Sequence, residues 1–204
     1  MKWFNQQTPI IALAPLADYT DSPFCRICRE VGGKDFVIFH EMVSSEAIVR
    51  GNEKTLKMCQ FDKVERPIVL QIFGSNPEVI SKAVKIINKK FKPDGIDINM
   101  GCPVPKIANK NEAGAALMKN SDKAVEIIKK IKQDNPDIVL SVKTRLGWNN
   151  KNEILKFASR LEKAGAQLLT IHGRTKIQGY SGKADWEMIG EVKKIVNIPV
   201  IANG

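Results

Sequence analysis

The sequence predicts an α/β fold in which parallel strands form an incomplete TIM, or (β/α)₈, barrel with about seven strands present. Short apolar segments alternate with segments of helical periodicity, and each helical crossover must return the chain to the same edge of a sheet. No G-x-G-x-x-G follows the first strand, which disfavours a doubly wound dinucleotide-binding sheet. Polar residues also recur where strands end, and barrels of this type build their sites there. These residues are Gln71, Asn99, Lys143, His172 and Asn203.

The predicted strands are short and apolar, as in parallel sheets that are covered on both faces. In chain order they span residues 10–17, 36–42, 67–74, 95–100, 139–145, 168–174 and 199–204.

Helices are predicted between these strands because a residue that can cap backbone N–H groups precedes apolar residues spaced three or four apart. Glycines end two of them, at Gly32 or Gly33 and at Gly165. The predicted starts are Asp21 or Ser22, Ser44, Asn76, Ser121, Asn152 and Asp185.

The stretch DGIDINMGCPVPK, residues 94–106, is the most informative part of the chain. Residues 95–100 form a strand that ends in a loop at Gly101, and Cys102 is the first reactive side chain beyond that point. A free cysteine is usually a small buried core residue. Here the flanking glycine and prolines indicate a shaped loop at the rim of the barrel instead.

Composition is that of an ordinary globular protein, with 43% hydrophobic and 26% charged residues among 204. The formal charge of +10 fits either a polyanionic partner or a lysine-rich solvated surface. No apolar run is long enough to span a bilayer, and no signal-peptide cleavage site follows the N-terminus. With only four cysteines, these features predict a cytoplasmic protein without membrane contact.

Cys25 and Cys28 form a lone C-x-x-C pair on a predicted helix. No second pair follows at the spacing of a zinc site. We therefore interpret the two cysteines as helix packing and expect no metal site.

The polar strand ends suit a phosphorylated heterocyclic cofactor. Gln71 can donate to and accept from an amide-bearing ring, Lys143 can stabilise an anion, and His172 can donate to an oxygen atom. Asn203 and Gly204 end a strand where such barrels commonly bind phosphate through backbone N–H groups. Each residue alone is more often a satisfied or solvated polar group, so the argument depends on the set.

The chain resembles the tRNA-dihydrouridine synthases, which are FMN-dependent enzymes that reduce uridine in tRNA. The resemblance covers residues 10–204, and its most specific part is DINMGCP followed by a proline and a lysine. The motifs that carry it, in order, are APLADYTDSPFC (14–25), QIFG (71–74), DINMGCPVPK (97–106), GAALM (114–118), VKTRLGW (142–148), IHGRT (171–175) and IANG (201–204).

The resemblance implies a role for individual residues. Cys102 would be the catalytic acid and Asn99 would face the uracil. Eight residues would contact FMN: Pro15, Leu16, Ala17, Gln71, Lys143, His172, Asn203 and Gly204. Apart from the resemblance, five basic residues are predicted near the same rim and could hold tRNA phosphates: Lys106, Lys110, Arg145, Arg174 and Lys176.

The resemblance also implies an organisation that this sequence does not complete. Leu16 stands where the family commonly has methionine. The last barrel strand, its phosphate-binding loop and the family's helical C-terminal domain have no counterpart. We therefore expect residues 1–204 to be a truncated FMN-binding catalytic barrel, with NADPH or NADH as the reductant.

The chemistry expected of such a site is addition of a hydride to carbon 6 and a proton to carbon 5 of uracil. Reduced flavin can deliver the hydride, and a protonated thiol at Cys102 can deliver the proton as a general acid. Lys143 would favour the anionic form of reduced flavin. The target uridine must leave its stack in the folded tRNA to reach the site.

Three other functions remain open from the residues alone. A flavin barrel that acts on a free pyrimidine, like the dihydroorotate dehydrogenases, would need no basic surface. A Schiff-base aldolase could use Lys143, and a non-enzymatic RNA-binding barrel would hold no flavin. The visible absorbance of a bound flavin separates the first alternative from the other two.

Overall fold

A computed structural model describes residues 9–108 and 112–204, except for the side chains of Lys106 and Ala108. Seven parallel strands form one sheet in sequential order, and the sheet curves into a nearly closed barrel. The predicted barrel is therefore confirmed. The strands are β1 (Ala12–Leu13), β2 (Val37–Ser44), β3 (Ile68–Phe73), β4 (Gly95–Met100), β5 (Leu140–Arg145), β6 (Leu168–His172) and β7 (Val200–Asn203). The predicted domain organisation, a truncated catalytic barrel over residues 1–204, stays a prediction.

Helices cover the outside of the sheet, and two 3₁₀ turns, Lys63–Glu65 and Gly114–Met118, lie between strands. None of the described helices has the length and apolar composition that crossing a bilayer requires. The helices are α1 (Ser22–Gly32), α2 (Ser45–Val49), α3 (Glu53–Met58), α4 (Pro77–Phe91), α5 (Pro105–Ala108), α6 (Ser121–Asp134), α7 (Glu153–Ala164) and α8 (Trp186–Ile195).

Most helix starts agree with the capping signals. The side chains of Asp21, Asn76 and Asp185 each accept a backbone N–H in the first turn of α1, α4 and α8. The predicted cap of α6 was wrong by one residue. Asn120 accepts the backbone N–H of Lys123, whereas the hydroxyl of Ser121 accepts from Arg160.

The first strand is much shorter than the predicted 10–17. The carbonyl of Leu16 accepts the backbone N–H groups of Tyr19 and Thr20, so the chain turns at the rim instead of continuing in the sheet. Pro15 adds to this break because it has no N–H to donate to a ladder. Helix α3 was not predicted; none of its residues is fully buried, although Leu56 and Met58 pack against the core.

Successive side chains of a strand point to opposite faces of the sheet, so the apolar residues of the strands form two layers. Ile96, Ile98 and Met100 of β4 belong to the large core between the sheet and its helices. A smaller cluster that contains Val69 and Leu168 fills the barrel interior. On β4 the intervening side chains Asp97 and Asn99 therefore point to the interior, toward the rim at which the strands end.

Candidate active site

A cavity of about 580 Å³ opens at the carboxyl ends of the strands. Cys102 and Asn99 line it, and so do Arg145 and Arg174. The predicted cofactor contacts line it as well: Pro15, Leu16, Ala17, Gln71, Lys143, His172, Asn203 and Gly204. Lys110 and the side chain of Lys106 lie outside the described part of the structure, so their predicted roles stay predictions.

Strand register is what brings these residues together. Asn99 of β4 pairs with Lys143 of β5, and His172 of β6 pairs with Asn203 of β7. Since parallel neighbours present paired residues to the same face, side chains that are distant in sequence form one polar ring. The amino group of Lys143 closes part of this ring by donating to the side-chain oxygen of Asn203 over 3.1 Å.

A buried chain of hydrogen bonds runs under the cavity to the cysteine loop. The carboxylate of Asp97 accepts from Gln71 Nε2 at 2.6 Å and from the hydroxyl of Ser141 at 2.5 Å. Gln71 Oε1 in turn accepts from Asn99 Nδ2 at 2.8 Å. Asn99 Oδ1 then accepts the backbone N–H of Cys102 at 2.9 Å. The position of the cysteine is thus tied to a carboxylate on the barrel interior.

Asp97 and Lys143 are opposite charges on neighbouring strands, and Asp97 is fully buried whereas Lys143 is half-buried on the cavity wall. Burial raises the pKa of Asp97 to about 6, although its two hydrogen bonds and Lys143 act in the other direction. Burial lowers the pKa of Lys143 to about 8, and the charge of Asp97 opposes that decrease. Lys143 is therefore mostly protonated at neutral pH and holds a cation close to the ligand cavity.

His172 is neutral at physiological pH. Burial, and after it the charges of Arg145, Lys143 and Arg174, together lower its pKa to about 4. The guanidinium of Arg174 lies 3.0 Å from His172 Nε2. Because a guanidinium can only donate, Nε2 must accept and the ring proton must be on Nδ1. The imidazole thus offers one N–H donor of fixed position.

Arg145 holds the rim together. Its Nε donates to the carbonyl of Gly101 at 2.9 Å, and its Nη1 donates to the carbonyls of Thr175 at 3.1 Å and Gly179 at 2.8 Å. These bonds connect the loop after β4 to the loop after β6. The side chain is only 3% exposed. Its predicted contact with tRNA phosphate stays a prediction, but this bracing role was not foreseen.

Cys102 is half-buried on the cavity wall. Burial raises the pKa of its thiol, while a backbone hydrogen bond at Val104 and the charges of Arg145 and Lys143 act in the other direction. Its carbonyl accepts the N–H of Ala115 at 3.1 Å. The thiol is therefore protonated at neutral pH on a loop that is held at both ends.

Several residues of the site were missed by the sequence reasoning. Met42, Tyr19 and Tyr180 line the cavity, and Met42 Sδ lies 3.1 Å from Asn99 Nδ2. Asp97 could have been found, because a carboxylate that alternates with isoleucines on a strand points to the barrel interior. The two tyrosines carry no such signal, since both lie in loops and are largely exposed.

Fold and site together define a parallel α/β-barrel protein with a cavity at its strand ends that polar and charged side chains help to line. The chain belongs to the dihydrouridine synthase family, whose model matches residues 12–204. It is 41% identical over 196 residues to a probable tRNA-dihydrouridine synthase of Aquifex aeolicus, covering 95% of this chain and 60% of that protein. It is 36% identical over 195 residues to tRNA-dihydrouridine synthase B of Pseudomonas aeruginosa, covering 95% and 57%. The chain thus spans little more than half the length of these relatives.

Solved structures with the same architecture are distant in sequence. A 2,3-dimethylmalate lyase of the PEP mutase/isocitrate lyase superfamily matches with a TM-score of 0.62 at 14% identity, over 96% of this chain and 67% of the lyase. An aldolase, QR15, matches with a TM-score of 0.57 at 15% identity, over 98% of this chain and 79% of the aldolase. Such similarity shows the barrel fold alone and does not support an aldolase reaction here.

Proposed function

We propose that the protein is a tRNA-dihydrouridine synthase that reduces the carbon 5–carbon 6 bond of uridine in tRNA. FMN would be its cofactor and NADPH or NADH its reductant. Family membership supports the reaction class. The observation that carries the proposal is that the protonated thiol of Cys102 lines the same cavity as Lys143 and the other predicted cofactor contacts.

The residues present fit FMN. A volume of about 580 Å³ is within the usual range for small-molecule and cofactor sites. The ammonium of Lys143 has three donors and, among the described residues, donates to Asn203, so it can serve a ligand as well. A Cβ on Gly204 would come within 2.4 Å of Ala184 Cβ, so only glycine fits this part of the cavity wall.

The protein's own residues would position the base and supply its proton. FMN, when bound and reduced, supplies the hydride that carbon 6 receives. Cys102 would give its thiol proton to carbon 5, a general-acid role that requires a protonated thiol. Asn99 would hold the backbone of Cys102 in place through its side-chain oxygen. Lys143 would provide positive charge next to the cofactor.

Recognition of tRNA is proposed at the basic rim. The formal charge of +10 suits a polyanionic ligand. Arg174 is half-buried at the cavity, and Lys176 lies over the ring of Trp148 at 4.5 Å from its centre. Lys176 is better placed for a phosphate than either arginine, because Arg145 Nε and Nη1 donate to carbonyl groups and Arg174 Nε and Nη2 donate to the carbonyl of Gly182.

The test is single-turnover reduction of an unmodified tRNA by the full-length protein loaded with FMN and NADPH. Cys102→Ala should lower dihydrouridine formation by about 10²–10⁴-fold while flavin stays bound, which is the usual effect of removing one general acid. Cys28→Ala, a half-buried cysteine of α1 outside the cavity, is the matched control. Near-normal reduction by Cys102→Ala would refute the assignment of the proton donor.

A second arm separates the proposed substrate from the alternatives. Equal turnover of free pyrimidines and of tRNA would favour a dehydrogenase of small molecules. A colourless protein that binds tRNA without flavin would favour an RNA-binding barrel. Either result would overturn the proposed activity.

A further inference from the structure

Three potential metal ligands meet on the outside of the barrel, away from the candidate active site. They are Cys25 on α1, His40 on β2 and Glu65 in the 3₁₀ turn, and their ligand atoms all lie within 4.8 Å of one another. Ile38, two residues before His40 on the same face of β2, packs with Cys25 in a small apolar cluster, so His40 also faces α1. None of the three ligands lines the active-site cavity.

All three side chains are buried, and three of their nitrogen and oxygen atoms have no hydrogen-bond partner among the described residues. Cys25 and Glu65 are fully buried and His40 is 1% exposed. These unpaired atoms are both ring nitrogens of His40 and Oε2 of Glu65. Folded proteins leave few buried polar atoms unpaired. Unpaired atoms that converge on one point therefore indicate a missing partner.

We propose that Cys25, His40 and Glu65 bind a divalent transition metal, with Zn²⁺ as the best fit. A thiolate, an imidazole and a carboxylate form a typical ligand set for zinc. Ligand atoms around tetrahedral zinc are about 3.5 Å apart, so side-chain shifts of about 1 Å would close this cluster on an ion. The thiol proton of Cys25 would be displaced to solvent when the sulfur–metal bond forms.

The surroundings already orient the carboxylate. Glu65 Oε1 accepts from the hydroxyl of Ser22 and from the backbone N–H of Asp62, each at 2.6 Å, which leaves Oε2 for the cluster. Arg29 donates to the main-chain carbonyl of Glu65 at 2.9 Å and fixes the turn. Such outer contacts are the usual support of metal ligands.

A cleft beside the cluster gives access to it. The cleft has a volume of about 530 Å³, and His40 lines it together with Asp21 and Glu41. Arg26 and Lys57 also line this cleft, so its charge is mixed. A water molecule entering by this route would fill the fourth position.

The site differs from a C-x-x-C metal pair. Cys28 lies on the same helix but outside the cluster. The sequence predicted no metal site because the two other ligands come from different elements and follow no local motif. The inferred role is structural, since an ion here would tie α1, β2 and the 3₁₀ turn together.

The test uses the full-length protein and the metal alone. After chelation and dialysis, Zn²⁺ is titrated, and bound metal is measured by elemental analysis. We expect one ion per chain in the wild type and in Cys28→Ser, and at least a tenfold weaker affinity in Cys25→Ser and His40→Gln. Wild-type binding of less than one ion per ten chains, or equal loss in Cys28→Ser, would overturn the proposal.

Cobalt provides a readout that does not depend on the variants folding. Co²⁺ added to the metal-free wild type should produce a thiolate-to-cobalt charge-transfer band and the visible spectrum of a tetrahedral ion. Absence of both would overturn the proposal even if the variants aggregate. The outcome is independent of flavin content and of uridine reduction, so failure of this site and failure of the proposed function can be distinguished.

Discussion

Asp97 offers the sharpest test of how the barrel interior positions the cysteine loop. The residue is fully buried, and its carboxylate is the acceptor for Gln71 and Ser141. Through Gln71 and Asn99 the same chain of bonds reaches the backbone of Cys102. We predict that Asp97→Ala destabilises the protein and releases the loop, whereas Asp97→Asn does much less.

The magnitude follows from counting the donors that lose an acceptor. In Asp97→Ala both Gln71 Nε2 and the Ser141 hydroxyl stay buried without a partner, at about 1–3 kcal/mol each. Part of this destabilisation is offset, because the variant no longer buries a carboxylate, whose burial is unfavourable. We therefore expect a loss of about 3 kcal/mol in the free energy of unfolding. In Asp97→Asn the amide oxygen can still accept from Gln71, so the expected loss is about 1 kcal/mol.

The assay is urea unfolding at neutral pH, combined with the rate at which a thiol reagent modifies Cys102. Asp35→Ala, which removes an exposed carboxylate, serves as the control. Faster modification in Asp97→Ala than in Asp97→Asn would show that the hydrogen-bond chain positions the loop. Equal stability of Asp97→Ala and Asp35→Ala, or an equal cost of the alanine and asparagine changes at position 97, would refute the reasoning.

Three further predictions concern the charge, the loop and the pH response. Lys143→Ala should lower the reduction potential of bound flavin and slow its reduction by NADPH; an unchanged potential with weaker tRNA binding would instead assign Lys143 to RNA contact. Gly114→Ala should lower the free energy of unfolding in urea by about 1–3 kcal/mol, because Gly114 has φ +58° and a Cβ would lie 2.9 Å from the carbonyl oxygen of Cys102. Gly190→Ala is the control, since a Cβ at that position of α8 would meet open space. His172 has a pKa lowered from 6.5 to about 4, so the free energy of unfolding should decrease as the pH falls from 6.5 to about 4. His172→Gln should make this decrease smaller, and the part that His40 contributes should stay the same in both proteins.

Much of the site was predictable because a parallel sheet converts sequence position into spatial position. The predicted limits of β4, residues 95–100, are those observed. Once consecutive strands pair in parallel, polar residues at their carboxyl ends must meet at one rim, and Asn99, Lys143 and His172 do so. Neither step required knowledge of side-chain contacts.

The remaining features depend on contacts that no local pattern encodes. Asn120 and Ser121 are equally good caps by residue type, and the choice between them follows from the contact of Ser121 with Arg160 on α7. The bracing by Arg145 depends on carbonyl groups in two other loops. The cluster around His40 likewise joins three elements that are far apart in the chain.

The protonation state of Cys102 depends on where the neighbouring charges are directed. Two cations, Lys143 and Arg145, would each lower the pKa of a thiol nearby, yet burial outweighs them. Lys143 shares the interior with the carboxylate of Asp97, which offsets its charge. Nε and Nη1 of Arg145 donate to three carbonyl groups. The cavity can therefore keep cations for an anionic ligand and still retain an acidic proton on sulfur, the combination that the proposed reaction requires.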